Sequence, residues 1–103
     1  MLSQMRKVPG LSRFYQLSLS QQVILADCVD RDDQQIDLPA ASAHADFLRR
    51  NGWLIEEVCI RVGMRSFCIP SAKWTELKHI KEQILTDAMK RELQMFRYTV
   101  RTC

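Results

Sequence analysis

The chain has 103 residues, 47% apolar and 26% charged, with three glycines and three prolines. That composition excludes disordered and collagen-like classes. A chain of this size buries roughly two-thirds of its unfolded surface, enough for one core, so residues 1–103 read as a single domain.

The formal net charge is +3, spread unevenly: residues 1–59 hold six Lys/Arg and eight Asp/Glu, residues 60–103 nine and four. The basic C-terminal half suits a polyanion or an acidic protein. No run approaches the roughly 18 apolar residues of a membrane span. The opening MLSQMRKVPG has no apolar h-region behind its basic residues. These readings make a cytoplasmic protein without membrane contact the expectation.

Residues 11–17, LSRFYQL, suggest a short helical turn with Leu11, Phe14 and Tyr15 on one side. Ser18 followed by Gln21 fits a capping box, opening a helix to about Val29 with Leu19, Val23, Ile24 and Ala26 inward. A polar loop, Asp30 to Gln34, follows. The alternation from Gln35 to Leu38 predicts one short strand with Ile36 and Leu38 inward. Pro39 stops it and opens a helix over about Ala40 to Asn51. There Ala41, Ala45 and Leu48 share a face, Arg49 and Arg50 suit the negative helix end, and Gly52 is a C′ residue.

Next comes NGWLIEEVCIRVGMRSFCIPS. With Gly63-Met64 as a two-residue loop, a type II′ turn is expected. Val62 then faces Arg65, Ile60 faces Phe67 and Val58 faces Ile69, on a core face. Arg61 meets Ser66, and Cys59 meets Cys68, on a semi-polar face. Such opposed cysteines suit two thiols in a reducing compartment.

Ser71 is an N-cap candidate for a long final helix. Trp74, Leu77, Ile80, Ile84, Ala88, Met89, Leu93, Phe96 and Val100 form its drifting apolar stripe. About 25 helical residues would span roughly 38 Å, more than so small a core covers. Either the helix breaks near Thr86-Asp87, with Thr86 capping a separate last helix, or its distal half meets a partner. Residues 88–103 are then the stretch for a homodimer or partner to cover, through Met89, Lys90, Arg91, Leu93, Phe96, Arg97, Val100 and Arg101. The alternative is that they fold back onto Leu11, Phe14 and Tyr15.

Chemistry is sparse. No P-loop, G-x-G-x-x-G, G-x-S-x-G or H-E-x-x-H occurs, which argues against an enzyme and against a cofactor. Cys28, Cys59, Cys68 and Cys103 match no zinc spacing. The acidic run 27–37 lacks the Gly and terminal Glu of an EF-hand. His44 reads as a packed or rim histidine, and His79 as exposed.

The order of helix, strand, helix, hairpin and long helix resembles a winged-helix domain. The likeness rests on residues 19–29, 36–38, the helix 40–51, the passage Leu48 to Leu54 and the hairpin 54–69. It implies that Ser42, His44, Arg49 and Arg50 approach the major groove of duplex DNA. Arg61 and Arg65 would take phosphate or minor groove, supported by Lys73. The interval from Pro39 to Gly52 has room for one helix, where a winged helix carries two. A second reading is a small phage or mobile-element type inhibitor that binds a host DNA-processing or defence protein. Its acidic loop 30–37 would mimic phosphate charge, and its basic last helix would bind the partner.

Overall fold

The structure, a computed structural model, describes residues 13–59 and 61–102. After a helical turn at 13–15 come α1 (Leu19–Arg31), β1 (Gln35–Pro39), α2 (Ala43–Arg50), β2 (Ile55–Glu57), β3 (Met64–Cys68), α3 (Ser71–His79), α4 (Lys81–Ile84) and α5 (Asp87–Thr102). The chain is α+β, with one short strand, a hairpin and a broken C-terminal helical stretch, as the sequence led us to expect. Leu11, Ile60 and the side chains of Val100 and Arg101 lie outside the described residues.

Helix α1 begins where its capping box predicts. The Gln21 amide donates to Ser18 Oγ, and the Ser18 amide donates to Gln21 Oε1 at 3.0 Å. Eight of its thirteen residues are buried, so it is the central post of the core. Leu19, expected inward, is half exposed on the first turn. The helix ends on Asp32, whose φ of 55° is left-handed, a conformation Asp tolerates better than most residues.

Strand β1 buries Ile36 and Leu38. It runs one residue further than expected, because Pro39 still pairs with Met64 and the Ala40 amide donates to Gly63 O. Helix α2 therefore starts at Ala43, with Ser42 as its N-cap accepting from the Ala45 amide at 3.1 Å. Ala41 is exposed in the preceding turn, and Ala45 and Leu48 are buried. The helix closes in a Schellman motif: Trp53 N donates to Leu48 O, and Gly52 N to Arg49 O, with Gly52 at φ 82°. Glycine meets that positive φ without a Cβ penalty.

The sheet order is β1-β3-β2, antiparallel throughout. The strand before α2 and the hairpin after it thus share one sheet, an arrangement compatible with the winged-helix likeness. The hairpin register corrects the expected one. Ile55 faces Cys68, Glu56 faces Phe67 and Glu57 faces Ser66, joined by the connection 58–63. Val58 and Val62 are almost fully exposed in that connection instead of lining a core face. Cys59 does not oppose Cys68; its thiol lies 3.7 Å from Arg61 O. The cause is tertiary. β3 is the central strand, and β1, not the turn, supplies the apolar partners Ile36 and Leu38 on the face of Phe67. Gly63 has φ 80° at the third position of the turn 61–64, where Met64 N donates to Arg61 O. That is the sign a type II turn requires, not a type II′ turn.

The C-terminal helical stretch breaks twice, at Ile80 and at Leu85-Thr86. Pro70, not Ser71, is the N-cap residue of α3, and it makes no side-chain cap bond. Thr86 Oγ1 accepts from the Met89 amide at 3.1 Å and opens α5, as its position predicted. Helix α5 lies against α1, burying Met89 and Leu93 within the common core.

Candidate nucleic-acid interface

Flanking the buried Ala45 and Leu48, α2 carries His44, Phe47 and Arg50 and its C-cap Asn51, all exposed. His44 Nδ1 lies 3.3 Å from Gln21 Nε2, which fixes the ring against α1. Ser42 spends its hydroxyl on the cap. Arg49 stands 4.0 Å from Asp46, a weak surface pair, of little energetic worth.

Both hairpin arginines are already engaged. Arg65 donates from Nε and Nη2 to the two Glu56 oxygens, at 3.0 and 2.8 Å, and from Nη1 to Asp46 at 2.9 Å. Its guanidinium also stands 5.2 Å from the Phe67 ring centroid. These hydrogen bonds, to Glu56 first and then to Asp46, push the Arg65 pKa up. The same bonds hold Asp46 and Glu56 below the usual carboxylate range. Arg61 donates to Asp37 at 3.1 Å, and Ser66 Oγ donates to the other Asp37 oxygen. The resemblance assigned Arg61 and Arg65 to phosphate; the fold has spent each on a carboxylate.

Lys73 sits elsewhere than expected. Expected to support the hairpin arginines, it stands over the indole of Trp53, its Nζ 4.8 Å from the ring centroid. There it lines a cleft of about 240 Å³ with Arg13, Gln16, Phe47, Asn51 and Trp53. No carboxylate is among the described residues around this cleft. Arg13, absent from the sequence expectations, meets Lys73 across sixty positions. Its signal was faint: it precedes Phe14, whose burial turns Arg13 outward.

No family model, curated protein or solved structure matches the chain. The arrangement of its own side chains therefore bears the functional argument.

The last helix divides its expected contact residues. Met89 and Leu93 are core, so they are withdrawn from any partner face. Arg97 is bound to Asp27 and Asp30, at 2.6 and 2.9 Å. Burial opposes its charge, but the hydrogen bonds to both carboxylates outweigh that and raise its pKa. Lys90 and Arg91 are exposed. Phe96 is partly buried and borders an apolar groove of about 540 Å³ shared with Leu19, Val23, His44 and Met95.

The acidic loop is likewise neutralised from within. Asp30 pairs with Arg97, Asp32 with Lys78, Asp33 with Arg31 and Asp37 with Arg61. Cys28, Cys59 and Cys68 are free thiols. Among the described residues no group of three or more His, Cys, Asp or Glu side chains is placed to hold a metal, and no helix is long and apolar enough to cross a membrane.

Proposed function

We propose that the chain is a small non-enzymatic regulatory protein that binds duplex DNA in winged-helix-like fashion, with α2 as the element presented to the major groove. One observation carries the reading. Among the described residues Arg13, Arg50 and Lys73 are in no ion pair within 4 Å; Arg13 and Lys73 line one cleft beside the end of α2 and Arg50 stands in the last turn of that helix, whereas the hairpin arginines are ion-paired. Cations left without internal partners are the ones free to neutralise phosphates. His44, Phe47, Arg50 and Asn51 offer donors, an acceptor and an apolar surface to base edges.

The test is a titration with duplex DNA at two salt concentrations. The reading expects log K to fall steeply with log salt and Arg50→Ala to weaken binding. Arg61→Ala with Arg65→Ala should leave the salt dependence unchanged. Absence of binding at low salt overturns it.

The apolar groove beside Phe96 supports a second reading, an inhibitor or modulator of a host protein. Leu19 and Met95 expose apolar surface at its rim, as protein-contact sites do. A single stoichiometric companion whose capture is lost on Met95→Asp would favour this reading over the first.

A further inference from the structure

The cleft between the turn at 13–15, the end of α2 and the start of α3 has a composition that points to one kind of ligand. Among the described residues its two charged members, Arg13 and Lys73, are both cations. Lys73 stands over the Trp53 face, and a cation–π contact leaves the ammonium its charge and donors not turned to the ring. Trp53 is buried and forms a rigid floor. The Asn51 side-chain amide donates to Phe47 O at 2.8 Å. With the Schellman bonds from Gly52 and Trp53, it covers the last carbonyls of α2. The negative helix end therefore presents few bare acceptors to an arriving anion. The volume, about 240 Å³, falls below the roughly 300 Å³ at which pockets begin to enclose drug-sized ligands. A small anionic group fits; a whole dinucleotide cofactor does not.

We infer that this cleft is a clamp for one backbone phosphate of duplex DNA, gripped between the Arg13 guanidinium and the Lys73 ammonium. The inference rests on the DNA-binding reading above. It makes the clamp a positioning contact that sets the register of α2 on the duplex and carries no sequence information. Arg13 supplies a planar pair of donors and Lys73 a point charge, a combination suited to a phosphodiester.

The experiment follows the fluorescence anisotropy of a short labelled duplex bound by the full chain across a salt series. The variants are Arg13→Gln with Lys73→Gln, each single change, and Lys73→Arg. The double variant should lower the slope of log K against log salt by about one, the single phosphate released, and each single variant by less than that. Lys73→Arg should keep the wild-type slope. Thermal melts identify any variant that fails to fold, and the single variants decide if the double one does. An unchanged slope in folded variants that still bind overturns the clamp and leaves the DNA reading standing. No binding by the wild-type chain at low salt overturns both.

Discussion

Arg97 Nε lies 2.6 Å from Asp27 Oδ1, joining the last helix to the first across 70 positions of sequence. The second Asp27 oxygen accepts from Arg31 Nε at 2.9 Å, and the Asp27 side chain is only 6% exposed. Each oxygen of a nearly buried carboxylate thus accepts from a guanidinium donor. Asp27→Asn removes the charge that two arginines were placed to meet. It should cost about 2 kcal/mol of stability, in line with hydrogen bonds to charged groups. Urea unfolding of the variant measures this, and a loss below about 0.5 kcal/mol, the scatter of ordinary surface changes, would refute it.

The fold-back of α5 makes a contrasting pair of predictions. Leu93 is 1% exposed and Met95 is 65% exposed on the same helix. Leu93→Ala should cost about 3 kcal/mol through lost burial and a cavity. Met95→Ala should stay within about 0.5 kcal/mol. If Leu93→Ala instead leaves the melt unmoved and changes the sedimentation coefficient, Leu93 is an interface residue and the packing described above is wrong.

Acid should weaken the structure partly through Arg65. The folded-state values of Asp46 and Glu56 lie below their ordinary 3.8 and 4.5 because Arg65 donates to both. In this range the unfolded chain binds more protons than the folded one, so stability rises with pH. The contribution is complete above the ordinary values and is lost as pH falls through the depressed ones. Urea midpoints from neutral pH into acid should therefore fall less steeply for Arg65→Gln than for the wild-type chain. Parallel curves would show that the Arg65 cluster is too exposed to matter.

Thiol chemistry separates the cysteines by burial. Burial raises the Cys28 thiol to about 12, against the opposing pull of Arg31. Its folded value stands above the ordinary 9.0, so this contribution to stability is complete below pH 9 and is lost as pH rises through about 12. Burial, reinforced by Glu57, also raises the Cys68 thiol. Iodoacetamide at mildly alkaline pH should modify Cys59 before Cys68, and Cys28 only on unfolding, as peptide mapping would read. Early labelling of Cys28 contradicts the core placement of α1.

At the hairpin, Gly63→Ala places no atom within 4 Å of a neighbour, yet φ is 80°. The cost is then backbone strain alone, about 1–2 kcal/mol. Val62→Ser, at a fully exposed site, should change stability by less than about 0.5 kcal/mol. Thermal melts of both variants discriminate this register from the one in which Val62 faces Arg65.

What could be read in the sequence was what neighbours in sequence decide. Ser18 and Gln21 lie three positions apart and cap each other; Gly52 and Thr86 each close or open a helix within four residues. The alternation of Ile36 and Leu38 named their face because a strand has only two. The hairpin register failed because it is a contest between strands. Reading 54–69 alone, Ile60 looked like the partner of Phe67 and Val58 the partner of Ile69, but β3 also pairs with β1 along its other edge, and Ile36 takes the position opposite Phe67. The same blindness hid the site. Whether Arg65 is free depends on Asp46 and Glu56, nineteen and nine positions away. The pairing of Arg13 with Lys73 in one cleft depends on how three elements meet. Charge counts saw a basic half; only the fold shows which charges are spent.

The central place of β3 also orders the events by which the chain acquires its sheet. β2 meets β3 across short separations, 57 with 66 at the near end, so the hairpin can close on the microsecond scale of isolated hairpins. β1 must wait for partners 25 to 33 positions downstream, Pro39 with Met64 and Gln35 with Cys68. During synthesis from the N-terminus, Ile36 and Leu38 therefore leave the ribosome well before their strand partners on β3. In that interval the nascent chain presents an unpaired apolar strand, guarded by the charge of Asp37 between them and by Pro39 at its end, two features that discourage edge-to-edge association.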